Sequence, residues 1–251
     1  MGTDSLGRST SASSTFTALV SPPPAPTITS QPANPTNSTS ASFGFTDPQS
    51  GVTFQCSRDG AAFTACTSPT SYTGLAAGAH TFSVQAKDSF GALSTATTVS
   101  WTVDTTAPTA TDVQTTNGGT ANVIDTGDKL TFSFSEPIAP GSVKSGWTGG
   151  STAVTVHVAL AGQNANLTVT GTNLGTVKLD KAYASATFDT AATIELVGNA
   201  VVVTITQSNA GATAGGVEKM AWTLGTGLTD LAGNGVTTTA VTEGGQNDAD
   251  F

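Results

Sequence analysis

Apolar side chains in this chain return at every second position, in short runs broken by turn residues, and no window sustains a helical period. Phe82, Val84 and Ala86 alternate with Thr81, Ser83, Gln85 and Lys87. Leu130, Phe132 and Phe134 bracket Thr131, Ser133 and Ser135, and Val154, Val156, Val158 and Leu160 bracket Thr155, His157 and Ala159. A period of two lines one face of a strand, so each run can bury one side only against a second layer. The composition agrees: threonine fills 48 of 251 positions and charged residues make up only 10%. A β-branched hydroxyl residue suits a pleated surface that also faces water. The fold expected is all-β.

Residues 101–108, WTVDTTAP, divide the chain. Val99, Trp101 and Val103 read as the last strand of one sheet, and Ala107-Pro108 forbids its continuation, because proline has no N–H for a ladder and holds its predecessor extended. Asp104, Thr105 and Thr106 bond readily to their own backbone, which makes a short, stiff joint. The organisation expected is a leader over 1–25, a first sandwich over 26–104 and a larger one over 107–251. The leader is rich in Ser and Thr and ends in Ser21-Pro22-Pro23-Pro24, the composition of an extended spacer. Within it Phe16, Ala18 and Val20 alternate with Thr15, Thr17 and Leu19. They read either as unstructured chain or as a strand offered to the sheet edge of a neighbouring subunit.

In the first domain, Phe43 and Phe45, then Val52, Phe54 and Cys56, occupy alternate positions. Turn signals at Asp47-Pro48, Asp59-Gly60, Ala77-Gly78 and Asp88 to Gly91 fall at sandwich spacing. A hairpin turning at Asp59 to Ala62 sets Cys56 opposite Cys66. A disulfide there stabilises by roughly 2.5–3 kcal/mol in the chain-entropy model and implies an oxidising compartment. Two cysteines without a neighbouring histidine are too few for zinc. The stretch FQCSRDGAAFTAC through WTVDTTAP, residues 54–108, resembles the bacterial Ig-like repeat of exported multidomain proteins, common in actinobacteria. The likeness rests on the Cys, Asp-Gly, Cys-Thr-Ser-Pro, Tyr-Thr-Gly-Leu, Gly-x-His-x-Phe, Ala-x-Asp and Trp-x-Val-Asp-x-Thr-x-Pro elements. It implies a β-sandwich with a structural disulfide and names no chemistry.

Further strands are expected at 167–170, 176–179, 194–197, 200–206 and 220–224. TFSFSEPIAPGSV (131–143) with LTDLAGNGV (228–236) resembles the Ig-like domain of bacterial S-layer and adhesin-type proteins, which closes with Asp-x-Ala-Gly-Asn.

The formal net charge of −9 is concentrated after residue 106, where eight Asp and four Glu face five Lys. Such a surface repels phosphate backbones, which argues against nucleic acid. No apolar stretch approaches 18 residues, so no membrane span is expected. Met1 to Ser5 lacks the basic start and apolar run of a signal peptide, so the expectation is an extracellular protein in a form without its export signal.

Little chemistry stands out. His80 and His157 show no triad pattern, and Glu136, Glu195 and Glu218 include no marked pair of the kind glycoside hydrolysis needs. No enzyme is expected and no cofactor is required. Structural calcium is the one ion considered, with Asp88, Asp104, Asp125, Asp128 and Asp230 as candidate oxygen donors in turns. Trp147, in KSGWTGG, is the candidate for stacking on a sugar. The function expected is a non-catalytic exported surface protein, a stalk, fibre or adhesive module of Ig-like domains. Its partners would be further copies joined by N-terminal strand addition, or a surface glycan or protein. The rivals are a phage virion decoration protein and an accessory carbohydrate-binding region of a secreted enzyme.

Overall fold

The computed structural model describes residues 2–3, 9–10, 21–120, 123–161, 164–179, 187–208 and 219–245. It is all-β among these residues apart from one helical turn, and it divides into two compact units. The first holds Met1–Pro32, Ser40–Thr73 and Ala79–Ser100; the second holds Ala33–Thr39, Gly74–Gly78 and Trp101–Phe251.

The chain begins with a two-stranded ladder of β1 (Gly2–Thr3) and β2 (Ser9–Thr10). Then follow β3 (Thr27–Ser30), β4 (Ala41–Thr46), β5 (Thr53–Arg58), β6 (Thr64–Cys66), β7 (Thr70–Tyr72), β8 (Gly78–Lys87) and β9 (Thr97–Val103). They form two sheets, ordered β3-β4-β7 and β6-β5-β8-β9. The sheets face each other through rings. Phe43 of β4 stacks on Phe82 of β8 at 4.1 Å, and Phe45 meets Phe54 of β5 edge-on at 5.0 Å. Phe43, Phe45 and Phe82 are at most 1% exposed, and burying each ring contributes about 1.5–3 kcal/mol. The alternation read from Phe82, Val84 and Ala86 is therefore the inner face of β8.

The hairpin of β5 and β6 has a tighter register than expected. Phe54 lies opposite Cys66 and Cys56 opposite Thr64, so the two cysteines are diagonal rather than facing. The cause is the turn: Asp59 and Gly60 both have positive φ, at 52° and 74°, and the Ala61 N–H donates to the Arg58 carbonyl at 2.9 Å. Two left-handed residues reverse the chain at once and shorten the loop. The disulfide still forms, with Cα atoms 5.8 Å apart. At the end of the leader, Pro23 and Pro26 are buried. Their spacing of three is the one that a polyproline helix places on one face, and the Thr97 hydroxyl donates to the Pro26 carbonyl. The end of the leader is thus tied to its domain rather than free. Phe16, Ala18 and Val20 lie outside the described residues.

The second unit contains β10 (Ala110–Thr116), β11 (Lys129–Phe134), α1 (Pro140–Val143), β12 (Thr152–Ala161), β13 (Asn164–Val169), β14 (Thr176–Leu179), β15 (Phe188–Val197), β16 (Ala200–Ile205), β17 (Ala221–Thr223) and β18 (Ala240–Thr242). All nine strands join one antiparallel sheet, ordered β10-β11-β16-β15-β12-β13-β14-β17-β18. Its two ends return to each other. The Gly244 N–H, just past β18, donates to Asp112 of β10 at 2.8 Å, and Gln114 Nε2 donates to the Gly244 carbonyl at 3.1 Å. The result is close to a barrel, with one core. Trp222, fully buried, lies edge-on to Phe132 and Phe134 at 4.9 and 5.4 Å, and its Nε1–H donates to the Leu174 carbonyl.

Two strands start earlier than the sequence pattern indicates, β13 at Asn164 and β15 at Phe188. Their inward positions are held by Ala165, Thr190 and Ala192. Side chains this small or polar satisfy the pleat without announcing a buried face. Leu160, read as part of the buried series of β12, is 40% exposed near the strand end.

Candidate functional site

The carboxylates carry most of the polar chemistry, and they divide by what they touch. Asp88 is buried, and its Oδ1 accepts the N–H groups of Phe90 and Ala92 at 2.9 and 2.8 Å. It shapes the turn that follows β8. Asp128, fully buried, accepts the Gly118 N–H on Oδ1 at 2.9 Å and the Asp125 N–H on Oδ2 at 2.7 Å. Burial pushes its pKa up and prevails over the N–H groups of Gly118, Asp125 and Gly119, which pull it down. Asp125 in turn accepts the Thr120 N–H on Oδ2 at 2.9 Å. These three candidate calcium donors serve their own loops.

Asp104 and Asp230 do come together, and with a third carboxylate, Glu136. One ligand-capable oxygen of each lies within 4.8 Å of the others. Local sequence explains the placement. In Asp230-Leu-Ala-Gly-Asn234, Gly233 has φ 94° and turns the chain, so the Asn234 N–H reaches Asp230 Oδ1 and its Nδ2 reaches Oδ2, both at 2.8 Å. The same Nδ2 donates to the Asp104 carbonyl at 2.8 Å. Asp104 Oδ1 accepts the Thr106 N–H at 3.0 Å, the local bond expected of the joint. Glu136 sits between β11 and Ile138, which bridges to Asp230. Its carboxyl is held above the ordinary range, first by desolvation and then by the charges of Asp104 and Asp230. The expected donor set therefore separates into two that converge and three that do not, and the converging pair is joined by Glu136, which the sequence offers only as half of a catalytic pair. Its position before Pro137 was the available signal.

The histidines are paired. His80 Nδ1 lies 3.0 Å from Asp59 Oδ2, while Asp59 Oδ1 accepts the Thr81 N–H at 2.9 Å. The Asp59 pKa is lowered: desolvation raises it, but the Thr81 N–H, His80 and Arg58 together outweigh that. His157 and Asp189, directly opposed on β12 and β15, are bonded at 2.5 Å on an exposed face. Their strand spacing alone did not reveal the pairing, because Asp189 precedes the part of β15 that shows alternation. Glu195 is exposed on β15, and Glu218 lies outside the described residues.

Trp147 corrects an expectation. It is 6% exposed, its Nε1–H donates to the Gly150 carbonyl at 2.6 Å, and it belongs to the core of the second unit. Glycines at 146, 149 and 150 let the loop fold the ring inward, leaving no face for a sugar.

Two concavities are best formed. One, of about 340 Å³, is lined by residues 223–228 with Val236, Thr238 and Thr239, and it contains no titratable side chain. The other, of about 270 Å³, lies beside Cys56 and includes Arg58 and Tyr72, with the guanidinium 5.2 Å from the ring centre. Neither contains the carboxylate trio.

No family model matches the chain, and no curated protein matches it. Among solved structures it is similar to chitinase ChiA74 from Bacillus thuringiensis, at 18% identity and a TM-score of 0.27, over 74% of this chain and 27% of the chitinase.

Proposed function

We propose that this chain is a non-catalytic structural module of an exported protein, serving as a stalk, fibre subunit or adhesive element. One observation carries the reading: the buried polar side chains are spent on the fold's own backbone. Ser57, Ser94 and Thr190 donate to carbonyls, and Asp88, Asp128, Asp230 and Glu243 accept main-chain N–H groups. Polar groups placed for turnover would instead converge on a cleft with shifted proton affinities; the carboxylates that converge with one such shift, Asp104, Glu136 and Asp230, line neither concavity. The disulfide supports an oxidising destination.

Electron microscopy and sedimentation of the full chain test the fibre form. Strings or defined oligomers are expected. Monodisperse monomers that also bind no cell surface would overturn it.

A structural calcium ion belongs to the same proposal, with Asp104, Glu136 and Asp230 as its donors. Hard oxygens crowded under mutual repulsion suit a divalent cation. The test is thermal unfolding with calcium against chelator.

A further inference from the structure

We propose that Asn117 is a self-modification site: the loop between β10 and β11 surrounds the Asn117-Gly118 bond with the groups needed to close it into a succinimide. This would be followed by hydrolysis to aspartate and isoaspartate.

Four features assemble there. The Gly118 N–H, the nucleophile once deprotonated, donates to Asp128 Oδ1 at 2.9 Å, so a carboxylate base is already in place. The Gly119 N–H donates to Asn117 Oδ1 at 2.9 Å, where negative charge develops as the carbonyl is attacked. Asn117 itself is exposed, so its amide nitrogen can leave into water. Finally, a Cβ on Gly118 would come within 2.2 Å of the Gly127 carbonyl oxygen, and one on Gly119 within 1.9 Å of Asp125 Oδ1. Only glycines fit, which leaves the attacking nitrogen without a side chain to shield it.

The step balances without any oxidant. The Gly118 nitrogen bonds to Asn117 Cγ and passes its proton to Asp128. The Cγ–Nδ2 bond breaks, and ammonia departs with the proton that Asp128 returns. Water then opens the imide at either carbonyl. One water enters, one ammonia leaves, and Asp128 is regenerated. The loop gains a negative charge beside Asp125 and Asp128. In the isoaspartate product it also gains a backbone methylene where Gly118 and Gly127 have no slack. Conversion would therefore be a one-way mark of the protein's age, and it would loosen this loop.

The chain carries its own control in the second Asn-Gly pair, Asn234-Gly235. There the Asn234 N–H is tied to Asp230 Oδ1, and the amide nitrogen that would have to leave is held by Asp230 Oδ2 and the Asp104 carbonyl. It should be protected.

The experiment incubates the intact chain at neutral pH, native and in denaturant, and quantifies aspartate and isoaspartate at both positions by peptide mass spectrometry. Asn117 is expected to convert in the native protein at least as fast as in the denatured chain, while Asn234 converts clearly more slowly when native. Asp128→Asn should slow native Asn117 by on the order of 10²-fold and leave the denatured rate unchanged, with continued protection of Asn234 reporting that the variant is folded. Native Asn117 slower than denatured in the wild-type chain would mean that the same hydrogen bonds hold the nitrogen away from Cγ, and the proposal fails. A folded Asp128→Asn variant with an unchanged rate would fail it equally.

Discussion

In the first unit the turn between β5 and β6 is fixed by a covalent bond, Cys56 to Cys66. In the second unit the corresponding work falls to carboxylates, as it does at the turn after β8 in the first, which Asp88 holds. Asp128 gathers the loop after β10, Asp230 gathers residues 230–234, and Glu243 receives the Met220 N–H at 3.0 Å where β17 begins. The bond stabilises by restricting the unfolded chain and is indifferent to pH or salt, though open to reductants. A buried carboxylate acts in the folded state and depends on its ionisation. One molecule therefore carries two kinds of turn fastener that fail under different conditions.

Removing the covalent fastener should have the largest effect. Replacing both cysteines by serine is expected to cost about 3 kcal/mol. Hydrogen exchange should quicken in β4, β5 and β8 and stay unchanged in β11 and β16. Equal loosening of both sets would mean that the disulfide is not local to its unit. Next comes Asp230→Ala, which strands the Asn234 N–H and its amide; a cost of about 2 kcal/mol is expected, read as lower thermal stability with exchange quickening at residues 228–236. If Asp230→Ala is neutral, water replaces the carboxylate without loss and the comparison collapses on that side.

The contrast between units also governs what could be read from residues alone. Aromatic alternation at Phe43, Phe45 and Phe82 announced the first sandwich, since large side chains have only one place to go. In the second unit, strands such as β15 bury Thr190 and Ala192, which report a face weakly, so their first turns of ladder were missed. Asp-Leu-Ala-Gly-Asn marked Asp230 as a turn residue, and in the structure Gly233 is left-handed there. The meeting of Asp230 with Asp104 and Glu136 was not legible, because it joins positions more than 90 residues apart in sequence through a sheet order that skips neighbours. Trp147 misled for the reverse reason: a ring in a loop suggests an open face, but the glycines beside it allow the ring to fold into the core.

Acid should separate the two units by sign. Asp59 is lowered below its ordinary 3.8, so the folded first unit holds fewer protons than the unfolded chain across that window. Its contribution is complete above the ordinary value and is lost as pH falls through the lower folded one. Glu136 is raised above its ordinary 4.5, so the folded second unit takes up a proton first. That contribution is fully present below 4.5 and is lost as pH rises through the folded value. Between neutrality and pH 4.5 the second unit should therefore strengthen on acidification while the Asp59 contribution to the first holds steady, and below 3.8 the first should weaken. Asp128, raised above its ordinary 3.8 in the same unit, adds to this gain, so Glu136→Gln should raise the neutral-pH stability of the second unit and lessen its gain on acidification; an unaltered profile would assign the whole gain to Asp128.

Calcium gives the smallest and most discriminating effect, because it competes with that same proton for the trio. Both oxygens of Asp230 already accept from Asn234, so little ligand strength remains to be gained. A stabilisation of about 0.5 kcal/mol, or about 1–2 °C in Tm, is expected at neutral pH and confined to the second unit. Protonation of Glu136 should abolish it, as should Glu136→Gln. A larger rise that survives Glu136→Gln would place the ion elsewhere and return Asp125, whose Oδ1 is buried and takes no hydrogen bond among the described residues, to the set of candidate donors.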